Sequence, residues 1–174
     1  LMNMATIELT QGKVTTVPDE CFEFLTELGS WYANRIGRIF YATCNIRLPT
    51  GKPGKMYLHN AVWEFCHGAI PPGFTVDHRD RDSLNNSLDN LRLATRSQQN
   101  ANRQQPNKTT GQIGVHCVAN GRRKYAACIG IDGKQKYLGV FHRPEAAALA
   151  RDLVALQVFG EFAVLNNPNL KPDT

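Results

Sequence analysis

Residues 79–90 (RDRDSLNNSLDN) hold only two apolar side chains, Leu84 and Leu88, among three Asp, three Asn, two Arg and two Ser. Such a run cannot pay for a buried helix or strand, and its Asn and Asp side chains compete with the backbone for local hydrogen bonds. It must be a loop that exposes those groups. Before it, Phe74–His78 (FTVDH) reads as a short strand ending on two polar residues; after it, Leu91–Thr95 (LRLAT) alternates apolar and polar as a second strand does. Thr95 and Gln98 have the spacing of a capping box, which opens a helix through Asn102 or Arg103. The order strand, polar loop, strand, short helix places the chain in the α+β class.

This order brings the end of the first strand beside the first turn of the helix, so Asp77 and His78 are expected to meet an amide from Gln99 or Asn100. Carboxylate and amide oxygens are hard ligands, suited to Mg2+ or Mn2+ rather than to Zn2+. Imidazole titrates near neutrality, which suits His78 to act as a general base toward water. Neighbours on a regular strand point to opposite faces, so Asp77 and His78 converge only where the strand ends or bulges. A lone Asp-His pair there is usually a surface turn; Asn90 and the capped helix at matching distances argue for more.

The pattern V-D-H-x-D-x-D-x-L-N-N-x-x-x-N-L-R-x-A-T-x-S-Q, preceded by L-H-N-A-V-W-E and I-P-P-G, resembles the HNH nuclease module in its phage and homing-endonuclease form. The resemblance covers a core of about residues 56–103 and implies a ββα-metal fold. It implies His78 as the base that activates water, Asn90 as the middle Asn that orients the His or its loop, and Asp77 as a metal ligand. One divalent cation then stabilises the phosphorane charge and the departing 3′ oxygen. Gln99 stands where the family shows His or Asn, with Asn100 one step later; successive helix positions differ by about 100°, so either one of them is the ligand or the site is weakened. His59 and His67 read as packed or solvated, Asn85 and Asn86 as loop-shaping, and Asp80 and Asp82 as solvated or in the ion's outer shell.

Charge divides the chain. Residues 1–29 carry one base, Lys13, against five acids, whereas residues 96–136 carry eight bases against Asp132 alone. The polar stretch QQPNKTTG at 104–111 reads as a connection between units. The expected organisation is a β-rich N-terminal segment plus the nuclease module over 1–104, a linker at 105–109, a second unit at 110–167 and a tail at 168–174. In the first unit, residues 31–48 read as strands turning at Gly37, and residues 56–67 as a helix stopped by Gly68.

In the second unit, three β-rich runs at 113–118, 124–131 and 136–141 are separated by the turn dipeptides Asn120-Gly121 and Asp132-Gly133. A helix from Pro144 to about Gly160 carries Ala146, Leu149, Leu153 and Leu156 as an apolar stripe expected to cover one face of the resulting sheet. The other face and the turns are expected to hold Arg122, Arg123, Lys124, Lys134 and Lys136 close to Tyr125, Tyr137 and His116, a surface able to enter a major groove. The segments T-G-Q-I-G-V, K-Y-A-A-C-I, K-Y-L-G-V-F, P-E-A-A and F-G-E-F-A resemble the APETALA2 type of DNA-binding domain, with Tyr125 where that family often has Trp. The resemblance implies double-stranded DNA as partner, contacted by these bases and Tyr137 together with Arg79 and Arg81 of the polar loop.

The expectation is a metal-dependent DNA endonuclease, a phosphodiester hydrolase of phage or mobile-element type that nicks or cuts DNA. The alternative is a DNA-binding or regulatory protein that keeps the nuclease fold without catalysis, and Gln99 is the residue that points that way. The five cysteines are odd in number, widely spaced and free of any C-x-x-C pair, which indicates neither a disulfide framework nor a thiolate zinc site. No apolar run approaches the roughly 20 residues of a membrane helix, and no signal pattern opens the chain. An intracellular protein is expected, in the cytoplasm of a host cell if phage-encoded, with no membrane partner and no small-molecule cofactor.

Overall fold

The computed structural model describes residues 3–102, 106–118 and 124–171. The chain divides into two compact units, Leu1–Ala94 and Thr95–Thr174, built from small antiparallel sheets and a few helices in an α+β arrangement. No helix among the described residues is long and apolar enough to cross a membrane.

The first unit opens with a hairpin of β1 (Met4–Glu8) and β2 (Val14–Pro18), in register from Met4↔Pro18 to Glu8↔Val14. Helix α1 (Asp19–Leu28) follows directly, with Asp19 and Glu20 in its first turn where the helix dipole favours negative charge. Strands β3 (Tyr32–Ile36), β4 (Ile39–Arg47) and β5 (Pro53–Tyr57) form a sheet in that order, and Gly37 turns between the first two at φ 62°. Helix α2 (Leu58–His67) buries Leu58, Ala61 and Val62 and stops at Gly68, where φ is 80°. Strands β6 (Phe74–His78) and β7 (Leu91–Thr95) pair with each other. Val17, Cys21, Leu25, Trp31, Val62, Val76 and Leu91 belong to one core, so hairpin, helices and sheets are tied through shared apolar burial. The Trp31 indole N–H is satisfied inside that core by the Leu25 carbonyl, 2.7 Å away.

The N-terminal hairpin is stitched to the polar loop as well. Thr16 N–H donates to the Leu84 carbonyl at 3.0 Å and Asn86 N–H to the Thr16 carbonyl at 2.9 Å, with a parallel bridge between Thr16 and Asn85. The Ser83 hydroxyl donates to the Phe40 carbonyl. A loop too polar to bury apolar surface is thus held by backbone bonds to the N-terminal hairpin and by a side-chain hydroxyl bond to a strand 43 residues away in sequence.

In the second unit, α3 (Arg96–Asn102) has the expected capping box. Thr95 N–H donates to Gln98 Oε1 at 2.8 Å and Gln98 N–H donates back to Thr95 Oγ1 at 3.3 Å. The sheet β8 (Val115–Val118), β9 (Lys124–Ile131), β10 (Lys134–Phe141) is antiparallel with β9 central. The turn at Asp132 (φ 50°) and Gly133 (φ 74°) is of the mirror-image hairpin type that this dipeptide favours. The Asn120-Gly121 turn lies outside the described residues. Helix α4 (Pro144–Phe159) covers the sheet.

The helix covers it with the face opposite to the expected one. Ala147, Ala148, Arg151, Asp152, Ala155 and Phe159 are buried, whereas Leu149 and Leu153 are 46% and 53% exposed. The helix is apolar nearly all round, so its period does not single out a face. Small alanines admit close approach to the sheet, and a buried ion pair decides the rest. Arg151 Nη1 and Asp152 Oδ1 stand 3.1 Å apart, both fully buried. Asp152 accepts from the backbone of Asn166 (2.7 Å) and Asn167 (2.9 Å), while Arg151 donates to the Val164 carbonyl. These bonds fold the chain after α4 back onto the helix.

Candidate active site

His78 is the last residue of β6 and is buried, 6% exposed. The strand ends there because the chain turns: Arg81 N–H donates to the His78 carbonyl at 3.2 Å, and Arg81 itself adopts φ 66°. The His78 Nε2 lies 3.0 Å from Asn86 Oδ1. The His59 ring, from α2, stands edge-on to it with centroids 5.1 Å apart. His59 is flanked in turn by Tyr57 at 5.4 Å and Tyr41 at 6.0 Å. Burial, with His78 as a second and smaller cause, pushes the His59 imidazole down to about 3.

Asp77, the preceding residue, turns to different company. Its Oδ2 accepts from both Nε (3.1 Å) and Nη2 (3.0 Å) of the buried Arg92 on β7. The guanidinium fixes the carboxylate's position and sets a positive charge against it.

Asn90 is buried and works as a clamp on the loop. Its side-chain oxygen accepts from Asp80 N–H at 3.0 Å, and its amide donates to Asp80 Oδ1 at 2.9 Å and to the Asn85 carbonyl at 2.7 Å. Its backbone carbonyl accepts from Arg79 N–H at 2.9 Å, closing the loop at the ends of both strands. Burial alone would raise the Asp80 carboxyl, but hydrogen bonds from Asp82, Asn85 and Asn90 and the nearby His78 outweigh it and hold it below the usual carboxylate range. Asp80 is thus a bonded part of the loop. Asn85 shapes the loop as expected, donating to Asp80 Oδ2 at 2.7 Å and accepting from the Ser87 hydroxyl at 2.9 Å.

Among the remaining sequence candidates, Gln99 is half-buried and Asn100 exposed on α3, in the second unit. Arg79 and Arg81 are exposed on the loop. Lys124 is half-buried; Lys134, Lys136 and Tyr137 are exposed. Arg122 and Arg123 lie outside the described residues. The register corrects the expected grouping of the bases. Lys134 pairs with Ile131 and Lys136 with the buried Ile129, and cross-strand partners share a face, so both lysines stand on the α4 side of the sheet. Tyr125 packs in the core on that same side. The open face carries Lys124, His116 and Tyr137, paired with Val118, Ala126 and Cys128. Consecutive strand residues alternate, so Lys136 and Tyr137 cannot share a face.

Among the described residues, one group of potential metal ligands drawn from His, Cys, Asp and Glu lies elsewhere: Glu20, Cys21 and Cys66, with ligand atoms within 4.8 Å of one another. The two thiols are 3.5 Å apart. Burial pushes Cys21 up to about 12, which favours the neutral thiol over a metal-binding thiolate. His67 packs on Trp63, ring centroids 4.4 Å apart.

Two features escaped the sequence reading. His59 offered only its nearness along the chain; its contact with His78 requires α2 to pack on β6. Asn86 looked like one more loop amide, and only its burial distinguishes it from Asn85.

Comparison with known proteins agrees with the central segment. Residues 56–101 match the HNH endonuclease family. An "Uncharacterized HNH endonuclease L560" of Acanthamoeba polyphaga mimivirus is 34% identical over 114 residues, covering 65% of this chain and 58% of that protein. "Protein 3.8" of Escherichia phage T7 is 35% identical over 77 residues, 44% of this chain and 64% of the phage protein. The chain thus spans about three fifths of the length of these curated relatives. Together the loop-end histidine, the clamped polar loop and these likenesses support an HNH-type nuclease domain at residues 56–101.

Proposed function

We propose that the protein is a metal-dependent DNA endonuclease of the homing or phage HNH type, in which His78 deprotonates the water that attacks a phosphodiester. The observation that carries this reading is His78 itself: an imidazole at the strand end, oriented by Asn86 and His59, inside the segment that matches the nuclease family. Asn90 serves by holding the loop that presents His78, through three side-chain bonds. The donor chemistry fits a hard cation, since the carboxylate of Asp77 is oriented by Arg92 and the amides of Gln99 and Asn100 are oxygen donors. Asp77 would be the carboxylate that holds Mg2+ or Mn2+, which when bound supplies charge stabilisation to the phosphorane and the leaving 3′ oxygen.

The second unit holds double-stranded DNA. A three-stranded sheet backed by one helix supports the APETALA2-like reading, with Lys124 and Tyr137 on its open face and Lys134 and Lys136 at the exposed hairpin end. Arg79 and Arg81 add positive charge beside His78, and Arg122 and Arg123 belong to the same proposed contact set. Residues 1–104 then act as the cutting part and 110–167 as the holding part, joined at 105–109.

One observation favours a second reading, a DNA-binding protein without catalysis. The guanidinium of Arg92 already occupies one oxygen of the carboxylate proposed as metal ligand. Supercoiled plasmid with Mg2+ or Mn2+ separates the two. Nicked or linear product from wild type and none from His78→Ala is the expected result; plasmid bound but uncut by wild type favours the second reading, and cleavage that survives in His78→Ala removes the proposed base.

A further inference from the structure

Thr15 lies in β2, outside the segment that matches the nuclease family, yet it is fully buried against the polar loop. Its hydroxyl stands 2.7 Å from the Leu84 carbonyl. A carbonyl only accepts, so the single hydroxyl proton is committed there. Asn86, also fully buried, has its Nδ2 2.8 Å from the same Thr15 oxygen. That oxygen has no proton left to give, so it must accept, and the amide must turn its NH2 toward Thr15. The Asn86 Oδ1 is then directed at His78 Nε2, at 3.0 Å. An amide oxygen likewise only accepts, so in the neutral imidazole the proton resides on Nε2 and the lone pair on Nδ1.

The direction of every bond in this chain follows from the backbone carbonyl at its far end. An Asn side chain alone presents either an oxygen or an NH2 to a histidine and so selects no tautomer. Backbone bonds from Thr16 to Leu84 and from Asn86 to Thr16 hold the two ends in register, and the edge-on His59 ring limits rotation of the His78 plane.

We propose that Thr15 is a positioning residue for the reaction: acting through Asn86, it fixes the neutral His78 proton on Nε2 and so assigns the base function to Nδ1. The N-terminal hairpin thereby becomes part of the active centre. The proposal rests on the nuclease reading for its catalytic consequence but not for its structural one.

The test uses the full chain. Two-bond proton–nitrogen correlation spectra of the histidine rings report the tautomer, with His78 assigned by the signal lost in His78→Gln. Wild type should show the Nε2–H form. Thr15→Val removes the hydroxyl, frees the Asn86 amide to turn over, and should populate the Nδ1–H form; Thr15→Ser should restore Nε2–H. Should valine at this position fail to fold, Thr15→Ala gives the same reading. In plasmid cleavage, Thr15→Val should lower kcat by about tenfold with KM unchanged, a part of the roughly 10²–10⁴-fold that general-base catalysis supplies in full, and Thr15→Ser should recover it. An unaltered Nε2–H tautomer in both Thr15→Val and Thr15→Ala would overturn the relay, as would a tautomer shift with unchanged kcat. A wild type inert on DNA would overturn the nuclease reading, and the tautomer spectra would still decide the relay.

Discussion

His59 makes the first unit acid-sensitive by an amount that can be worked out in advance. Its ordinary value of 6.5 falls to about 3 in the folded protein, because the ring is enclosed by Tyr41, Tyr57 and His78 and its charged form is poorly solvated. The unfolded chain therefore binds a proton that the folded chain refuses, and stability present above pH 6.5 is lost as pH falls toward 3. Linkage puts the loss at about 0.8 kcal/mol near pH 6 and about 2 kcal/mol near pH 5, against almost none at pH 7.5. With a urea dependence of about 1–3 kcal/mol per molar, the unfolding midpoint should drop by about 1 M between pH 7.5 and pH 5. Trp31 and Trp63, the two tryptophans of the chain, both lie in the first unit, so tryptophan fluorescence follows that unit alone. Asp80 does not confuse the window, since its depressed carboxyl gives stability that is lost only below its ordinary value of 3.8. His59→Phe keeps an aromatic ring beside His78 but cannot titrate, and its pH 5 loss should be smaller than that of wild type by about 2 kcal/mol. An equal loss in wild type and His59→Phe would refute the reasoning.

Three further outcomes follow from particular contacts. Asn90→Ala removes three part-buried side-chain bonds and should cost about 2–3 kcal/mol, read from urea unfolding, while letting the Asp80 carboxyl rise in a carbon-13 titration. Gly114→Ala should cost more than about 2 kcal/mol in the second unit, because Gly114 sits at φ 69° and an added Cβ would meet the Cys128 carbonyl oxygen at 2.3 Å; an unchanged melting temperature would contradict this backbone conformation. Lys124→Ala combined with Lys136→Ala should weaken binding to unrelated DNA sequences alike and lower the slope of log affinity against log salt by about 2; an unchanged slope would remove both lysines from the DNA contact set.

The features legible from the amino-acid order are those with local causes. The capping box of Thr95 and Gln98, the Asp132-Gly133 turn, the Gly68 stop and the strands on either side of the polar loop depend on residues within a few positions of one another. The capping box and the two strands also fell where the motif required, which is why the nuclease resemblance could be read at all. The pairing of Asp77 with Arg92 and the contact of His59 with His78 join elements whose meeting depends on how helix and hairpin share one core. The α4 face illustrates the limit: with alanines and valines completing the circumference beside the leucine stripe, periodicity favours no side, and the buried Arg151–Asp152 pair with its Asn166 and Asn167 partners orients the helix instead. Composition alone therefore determined that residues 79–90 form a polar loop, but not that Ser83, Asn86 and Asn90 within it are buried rather than exposed. Tertiary structure decided which of its many polar groups is shut away beside the histidine, because Asn85 and Asn86 are chemically identical and only the strand from the chain's beginning, 71 residues distant through Thr15, buries one of them.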